Sequence, residues 1–370
     1  MNMKAISIIP GTTKVSLADR PEPNIDAPDE IKLQILEVGI CGTDREEASA
    51  GRCAPPPGND ELVMGHEMVG RVVEAGPAVK TVKVGDYAVF TVRRSCGICA
   101  ACRLNRFDMC YSGDYRERGI WKLDGYQTEY VVDHEQNLVR IPGEIATLGV
   151  LTEPLSVAEK AIDEAVRLQG ARLPDIPESS DWFKGRRCLV AGLGPIGLLA
   201  AVALRLRGAE VDGVDIVDEA SIRPQWLKEI GGSYIDGRTV SPEQLAKGRK
   251  PWDFIFEATG VPGLAFNLLD GLALNGIYVL TGIPSGSRPL SISGADLLRR
   301  LVLDNQIMVG SVNASREHYA MAVDDIYAAY RRWGKHMEKL ITHRYRYTDF
   351  ASALMHQAED EIKVVIEWAK

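Results

Sequence analysis

The chain has 370 residues, more than a single hydrophobic core usually serves, so we expect two domains. Hydrophobic residues at 45% and charged residues at 25% are the composition of an ordinary soluble globular protein. The 43 Lys and Arg residues against 51 Asp and Glu residues give a net charge of −8. This balance argues against a nucleic-acid-binding surface, because such surfaces are basic.

Neither membrane insertion nor secretion is indicated by the sequence. The best candidate for a spanning helix, from Ile196 to Leu206, is shorter than the roughly 20 residues that a bilayer requires. The first ten residues do not resemble a signal peptide. We therefore expect a cytoplasmic protein with no membrane partner, in which the seven cysteines are not paired as disulfides.

The first 150 residues predict a β-rich domain. Apolar and polar residues alternate over 31–36 and over parts of 68–73, with turn residues at 75–77 and 84–86 between such segments. Short alternating runs punctuated by turns are typical of strands.

A different pattern begins near Glu153. An apolar stripe of Leu155, Ala158, Ile162 and Val166 predicts a helix over 154–168, followed by a polar loop with Pro174 and Pro177. Strands then alternate with helices, which is the pattern of a doubly wound parallel sheet. The predicted strands are 188–191, 211–215, 253–258, 277–281 and 306–309, with a helix over 196–206. A helix over 319–333 and a strand over 364–368 follow, and the strand is expected to return to the first domain.

A glycine motif of the form G-x-G-x-x-G follows the first of these strands. It consists of Gly192, Leu193, Gly194, Pro195, Ile196 and Gly197. Between an apolar strand and a helix, this spacing predicts a dinucleotide pyrophosphate at the helix N-terminus. Asp215, 18 residues after Gly197, ends the second strand where an acid would bind the adenosine ribose. The alternative is an ordinary helix-entry turn of an α/β protein.

Four cysteines lie within fifteen residues, at Cys96, Cys99, Cys102 and Cys110. This spacing predicts a structural zinc site with four thiolate ligands and no open position. An iron–sulfur cluster is disfavoured, because the last gap differs from the ferredoxin spacing and Tyr111 stands where that pattern has proline. An accidental cluster of buried cysteines is the remaining alternative.

A second metal site is predicted from residues far apart in the chain. Cys41, His66 and Glu153 are candidate ligands, with Glu67 beside them. A catalytic zinc ion takes three protein ligands and keeps one open position, which such a set allows.

At these residues the sequence resembles the zinc-containing medium-chain alcohol dehydrogenase superfamily. The segment from Gly65 to Gly70, with Gly76 and Val79, matches the zinc signature of that superfamily. The resemblance implies an α/β fold made of a GroES-like β-rich catalytic domain and a Rossmann doubly wound parallel sheet. The implied boundaries are 1–155 completed by 314–370 for the catalytic domain, and 156–313 for the dinucleotide-binding domain.

Within that superfamily the chain is most similar to the archaeal-type glucose (aldose) 1-dehydrogenases. Residues 41–46 resemble the catalytic-zinc segment of these enzymes, and residues 124–126 resemble their Asp-Gly-aromatic turn. The resemblance implies substrate-binding roles for Thr43, Glu117, Glu153 and Asn313, and catalytic roles for Cys41, Thr43, His66, Glu67 and Glu153. It implies that either Glu67 or Glu153 completes the catalytic zinc site. The implied cofactor contacts are the glycine motif, Asp215, Ile216, Val217, Thr259, Gly260, Thr281, Gly282, Ile283, Ser311, Val312 and Asn313.

Some positions depart from the patterns of related enzymes. Glu46 stands where typical alcohol dehydrogenases carry a relay histidine, and Glu153 where they carry a zinc-binding cysteine. Val157, with Glu159 nearby, stands where some glucose dehydrogenases have a sugar-contact carboxylate. NADP-preferring members carry arginines after the second strand, whereas this chain has Ile216 and Val217 at those positions.

The implied function is oxidation of an aldose at C1 to the aldono-lactone, with hydride transfer to NAD(P)+. D-glucose is the expected substrate, with galactose or xylose as competitors. Two zinc ions per chain, a preference for NAD over NADP and a homodimer or homotetramer are also expected. A zinc polyol or secondary-alcohol dehydrogenase and a non-enzymatic nucleotide-binding protein of this fold are the alternatives. For Glu117 the alternative is a solvated charge between Arg116 and Arg118.

Overall fold

The computed structural model describes residues 1–174, 176, 180–241, 244–245, 248–284 and 289–369. The chain divides into two compact units, one formed by Met1–Ser156 with Asn313–Lys370 and the other by Val157–Val312. Pro177 of the predicted polar loop lies outside the described residues, whereas Pro174 stands in a turn.

The first unit is built mainly from strands, as its alternating segments predicted. Its largest sheet has the order β11-β6-β5-β3-β19-β18, with β10 also paired to β3. Two three-stranded sheets, β2-β1-β4 and β7-β8-β9, complete it. The strands are β1 (Asn2–Ile8), β2 (Val15–Pro21), β3 (Glu30–Ile40), β4 (Leu62–Val63), β5 (Glu67–Ala75), β6 (Tyr87–Phe90), β7 (Arg93–Arg94), β8 (Arg116–Arg118), β9 (Lys122–Leu123), β10 (Tyr130–His134), β11 (Leu138–Ile141), β18 (Ile341–Arg346) and β19 (Lys363–Glu367).

Three short helices and one long helix, α8, accompany these strands. They are α1 (Gly42–Ala48), α2 (Ala100–Arg103), α8 (Arg316–Trp333) and α9 (Phe350–Met355). Strand β19 does return to the first unit, where it pairs antiparallel with β3 and parallel with β18. The last strand of the chain therefore lies next to the strand that leads into Cys41.

The second unit is a six-stranded parallel sheet of the order β14-β13-β12-β15-β16-β17. The crossover beside β12 is the strand reversal of a doubly wound fold, so the predicted Rossmann sheet is confirmed. Its strands are β12 (Arg187–Ala191), β13 (Glu210–Asp215), β14 (Ser233–Asp236), β15 (Trp252–Glu257), β16 (Leu272–Leu280) and β17 (Ile307–Gly310). Its helices are α4 (Pro195–Leu206), α5 (Ile222–Glu229), α6 (Pro262–Asn267) and α7 (Gly294–Leu303), and α3 (Thr152–Arg172) begins in the first unit.

The predicted elements lie close to the observed ones, and the apolar stripe of α3 is buried as expected, from Leu155 to Val166. Strand β14 was not predicted, because its sequence Ser-Tyr-Ile-Asp contains a single buried aliphatic residue, Ile235. Among the described residues, no helix combines the length and the apolar character needed to cross a bilayer.

Candidate active site and metal centres

Two neighbouring strands bring Cys41 and His66 together. Gly39 on β3 lies opposite Glu67 on β5 in antiparallel register, so the end of one strand meets the start of the other. Cys41 follows β3 as the N-cap of α1. His66 precedes β5 and follows Gly65, whose φ of +87° and close approach to Gln127 exclude a side chain at that position.

The atoms of this pair are close enough to share a metal ion. The Cys41 Sγ and His66 Nε2 atoms are 3.1 Å apart. On the other side of the ring, Nδ1 lies 3.7 Å from a carboxylate oxygen of Asp44, whose second oxygen accepts the backbone N–H of Cys41 at 2.8 Å. Burial opposes a charge on His66, but Cys41 and Asp44 raise its pKa well above the ordinary value. Asp44 is therefore hydrogen-bonded to the backbone of Cys41 and lies close to the His66 ring, but it makes no hydrogen bond to that ring.

The two candidate carboxylates of this site have different partners. Glu67 forms a fully buried ion pair with Lys363, with Nζ to oxygen distances of 2.8 and 2.6 Å. The same Nζ donates to the carbonyl oxygen of Ile40 at 3.2 Å. Gly39 leaves the room for this carboxylate, because a Cβ there would lie 2.1 Å from a Glu67 oxygen.

Glu153 occupies the first turn of α3 and lies near His66 and Glu67. Ligand atoms of His66, Glu67 and Glu153 lie within 4.8 Å of one another, as do those of Cys41, Asp44 and His66. Burial raises the pKa of Glu153 to about 7. A thiol, an imidazole and a carboxylate are donors that zinc accepts. His66 is common to both groups, whereas Cys41 and Glu153 do not occur in one group within that distance. Of the two candidate carboxylates, Glu67 is engaged by Lys363.

The four cysteines of the predicted structural site converge. Sulfur atoms of Cys96, Cys99, Cys102 and Cys110 lie within 4.8 Å of one another, and in a tetrahedral site with Zn–S bonds of about 2.3 Å they would be roughly 3.8 Å apart. The backbone N–H groups of Cys99 and Cys102 donate to the Sγ atoms of Cys96 and Cys99, both at 3.5 Å. Hydrogen bonds from Ser112 and from the backbone lower the pKa of Cys96 to about 5, which favours a thiolate.

Glu117 is buried and paired, so it is not a solvated charge. Its side chain on β8 is directly opposite Arg93 on β7, and the residue is 6% exposed. The Arg93 guanidinium donates to Oε1 through Nε at 3.1 Å and Nη2 at 2.8 Å. The same Oε1 accepts Asn313 Nδ2 at 2.9 Å. Asn313 has a φ of +62°, a conformation that asparagine tolerates better than most residues.

The glycine motif has the geometry of a pyrophosphate-binding turn. Gly192 has a φ of +91°. A Cβ on Gly194 would meet no atom within 4 Å, which leaves the space before the helix open. A Cβ on Gly197 would lie 1.8 Å from the Gly192 carbonyl oxygen. Pro195 is the first residue of α4, where its missing N–H costs nothing.

Asp215 ends β13 beside this turn. One carboxylate oxygen accepts the backbone N–H of Leu193 and the other that of Ile216, both at 2.7 Å. The next side chain, Ile216, is 74% exposed. Arg238, which follows β14, is bound by Asp236 and Asp218.

The other proposed cofactor contacts follow the carboxyl ends of β15, β16 and β17. Glu257 accepts hydrogen bonds from the backbone N–H and hydroxyl of Thr259 and from the N–H of Gly260. Thr281 donates its hydroxyl to the Glu257 carbonyl oxygen. A Cβ added to Gly282 would lie 2.2 Å from the backbone nitrogen of Gly260, so these two residues pack closely. The side chains of Ile283 and Val312 are exposed. Ser311 donates to Glu164.

Three supporting side chains were not predicted from the sequence, namely Arg93, Lys363 and Asp44. Lys363 had a visible signal, since a lysine directly precedes an apolar strand. Arg93 had none that separated it from Arg94, because only the strand register distinguishes their partners. Glu159, noted for its nearness to a sugar-contact position, is buried and pairs with Arg207 at 2.7 Å.

Two family descriptions match this chain. Residues 27–143 match the alcohol dehydrogenase GroES-like domain. Residues 146–368 match the glucose dehydrogenase C-terminus. With the parallel sheet and the clustered thiol, imidazole and carboxylate groups, these matches define a medium-chain dehydrogenase with a GroES-like domain.

Comparison with individual proteins gives the narrower family. The chain is 38% identical to a glucose 1-dehydrogenase from Methanocella arvoryzae over 370 residues, and 39% identical to glucose 1-dehydrogenase 2 from Vulcanisaeta moutnovskia over 369 residues. Each alignment covers 99% of both chains. A solved structure of Haloferax mediterranei glucose dehydrogenase, in complex with NADP, Zn and gluconolactone, superposes with a TM-score of 0.88 at 32% identity and covers 100% of both chains. The chain belongs to the glucose dehydrogenase family.

Proposed function

We propose that this protein oxidises an aldose at C1 to the aldono-lactone and transfers the hydride to a nicotinamide cofactor. D-glucose is the first candidate, and galactose and xylose are the next. The observation that carries this proposal is the buried Glu117, held by Arg93 and Asn313. A sugar presents several hydroxyl groups in a fixed array, so its site needs such oriented polar groups, whereas the pocket of a simple alcohol is apolar.

Cys41, His66 and Glu153 would hold the catalytic zinc, and Cys96, Cys99, Cys102 and Cys110 a second, structural one. A zinc ion bound by the first set supplies a Lewis acid for the substrate hydroxyl. Asp44 would supply negative charge beside the His66 ring. Lys363 holds the Glu67 carboxylate in an ion pair beside the proposed ligands, so Glu67 is not counted as one of them. The partly exposed Thr43 carries the hydroxyl proton outward, and its backbone N–H donates to Cys41 Sγ at 3.2 Å.

The glycine turn and Asp215 would bind the cofactor pyrophosphate and ribose. Asp215 favours NAD, because a carboxylate bonds the ribose 2′-hydroxyl and repels a 2′-phosphate. Arg238 is neutralised by Asp218 and Asp236 and offers no free guanidinium to such a phosphate. We further propose a cytoplasmic homodimer or homotetramer, which light scattering would test.

The test is a panel of aldoses, polyols and short alcohols with NAD and with NADP, followed at the reduced-nicotinamide absorbance band. We expect the highest kcat/KM with an aldose. Oxidation of polyols or aliphatic alcohols alone would favour the polyol or secondary-alcohol alternative. Cofactor binding without turnover on any member of the panel would favour a non-enzymatic nucleotide-binding protein.

Glu117→Ala is the matched variant for the sugar assignment. Loss of a charge-assisted hydrogen bond costs about 2–3 kcal/mol, so kcat/KM for the aldose should fall on the order of 10²-fold. The Kd for NAD, measured by calorimetry, should be nearly unchanged. Arg116, exposed and adjacent to Glu117, provides the control: Arg116→Ala should leave both values close to wild type. An unchanged sugar kcat/KM in Glu117→Ala contradicts the assignment.

A further inference from the structure

Arg93 contacts two parts of the first unit at once. Arg93 is buried and lies on the two-residue strand β7, shortly before the four-cysteine segment begins at Cys96. Nε and Nη2 donate to Glu117, as described above. Nη1 donates to the carbonyl oxygen of Asp108 at 2.8 Å. The guanidinium also lies over the ring of Tyr115, 3.9 Å from its centroid, which is a favourable cation–π arrangement.

Asp108 and Tyr115 both belong to the chain segment shaped by the cysteine cluster. Asp108 lies two residues before Cys110, and Tyr115 lies five residues after it. The position of the guanidinium is therefore set on one side by the backbone and ring that flank the fourth cysteine. On its other side the guanidinium donates to Glu117.

The hydrogen bonds orient the Glu117 carboxylate. Oε1 accepts three N–H groups, two from Arg93 and one from Asn313. Across the described ranges of the chain, no residue donates to Oε2. A carboxylate held in this way presents one chosen oxygen to a substrate hydroxyl, and such preorganisation lowers the cost of binding.

We propose that Arg93 is a positioning residue that couples the four-cysteine lobe to the sugar site, so that the lobe determines sugar affinity as well as stability. The lobe is here residues 96–115. This inference rests on the proposed function, since Glu117 must bind the sugar. Arg93 acts through Glu117 and does not itself touch the substrate.

A double-mutant cycle on the zinc-loaded enzyme tests the coupling, with wild type, Arg93→Lys, Glu117→Gln and the double variant. Lysine keeps the charge but cannot donate to Glu117 and Asp108 through a planar fork, so KM for glucose should rise about tenfold in Arg93→Lys. The change in kcat should stay below about threefold, and KM for NAD should not change. In the Glu117→Gln background, Arg93→Lys should change the glucose KM by less than about twofold, because its route of action is already broken.

Two further variants separate coupling from general destabilisation. Tyr115→Leu removes the ring over the guanidinium and should raise the glucose KM about threefold. Arg94→Lys is the matched control, because Arg94 is buried on the same strand but donates to Asp133. The Arg94→Lys variant should lower Tm at least as much as Arg93→Lys does, and its KM for glucose should stay within about twofold of wild type. Calorimetric titration of glucose into the NADH-saturated enzyme should give the same order of affinities without turnover.

The outcomes distinguish this inference from the proposed function. An equal rise in KM from Arg93→Lys in both backgrounds, or no rise in the wild-type background, overturns the coupling while the sugar function stands. If Glu117→Gln itself leaves the glucose KM unchanged, or no aldose is oxidised, the proposed function fails first. A rise in KM with Arg94→Lys equal to that with Arg93→Lys also overturns the coupling, because a general loss of packing would then explain both.

Discussion

At the scale of single residues, the candidate site is held by charges that come from distant parts of the chain. Lys363 binds Glu67 from 296 positions away, and Arg93 binds Glu117 across a sequence separation of 24. Both ion pairs are buried, so their contribution to the free energy of unfolding depends on whether both partners are present. Removing one partner leaves an uncompensated charge, whereas removing both is often tolerated.

Lys363→Met should therefore lower the free energy of unfolding by about 3–5 kcal/mol, because it leaves the Glu67 carboxylate buried without its partner. Urea denaturation followed by tryptophan fluorescence measures this loss. The double variant Lys363→Met/Glu67→Gln is the control and should recover at least about half of it. If Lys363→Met is as stable as wild type, the ion pair does not have this structural role.

Cofactor preference is also a property of single residues. We expect kcat/KM with NAD to exceed that with NADP, since Asp215 disfavours a 2′-phosphate. Ile216→Arg should raise kcat/KM with NADP by about tenfold, because this exposed position follows β13 and would supply the missing guanidinium. Ala220→Ser, at an exposed position three residues beyond Val217, is the control and should shift neither value appreciably. A wild-type preference for NADP would show that Asp215 is wrongly assigned.

At the scale of elements, two glycines of the glycine turn are needed for different reasons, one for close packing and one for space at the cofactor site. The sequence alone does not distinguish these reasons. Gly197 packs against the turn, whereas Gly194 faces open space. Both were expected from the motif spacing, because all its residues are local in the sequence. The atom that each added methyl group would meet became known only from the fold.

Gly194→Ala should keep the Tm within a few degrees of wild type while raising KM for the cofactor on the order of tenfold, because the methyl group would occupy the space of the pyrophosphate. Gly197→Ala should lower Tm markedly, since its Cβ would overlap the Gly192 carbonyl oxygen. Differential scanning fluorimetry and NADH binding measure the two effects. Equal losses of Tm in both variants would contradict this separation of roles.

At the scale of the whole molecule, the metals are expected to have separate tasks. Cys99→Ser should lower Tm and zinc content, because the binding energy of a structural metal contributes to folding. His66→Ala should abolish turnover with a much smaller loss of Tm. Metal analysis of the active protein should give two zinc ions per chain, and one ion or fewer would refute the two-site arrangement.

Features formed by residues close together in the sequence were predicted, and features formed by distant residues were not. The parallel sheet, the glycine turn and the cysteine cluster follow from periodicity and spacing within a few tens of residues. Asp215 was accessible because it ends an apolar strand. The pairing of Glu117 with Arg93 and of Glu67 with Lys363 was not accessible, although a lysine before the last apolar strand was visible. Each pairing depends on strand register, and a shift of one residue would exchange Arg93 for Arg94.

The place of β19 has a consequence for how the protein is made. The strand inserts between β3 and β18, yet it is synthesised after all the others. The Val157–Val312 unit can complete its sheet on the ribosome, and the four cysteines of residues 96–110, which are close together in sequence, can bind a metal ion early. Strand β10 pairs with β3 over residues 30–34, but the edge of β3 over residues 37–40 stays unpaired until residues 363–367 emerge. The nascent chain therefore carries an aggregation-prone strand edge until that point. We therefore predict that the four-cysteine site can bind its metal before the Cys41–His66 site, whose supporting sheet is incomplete until residues 363–367 have been synthesised.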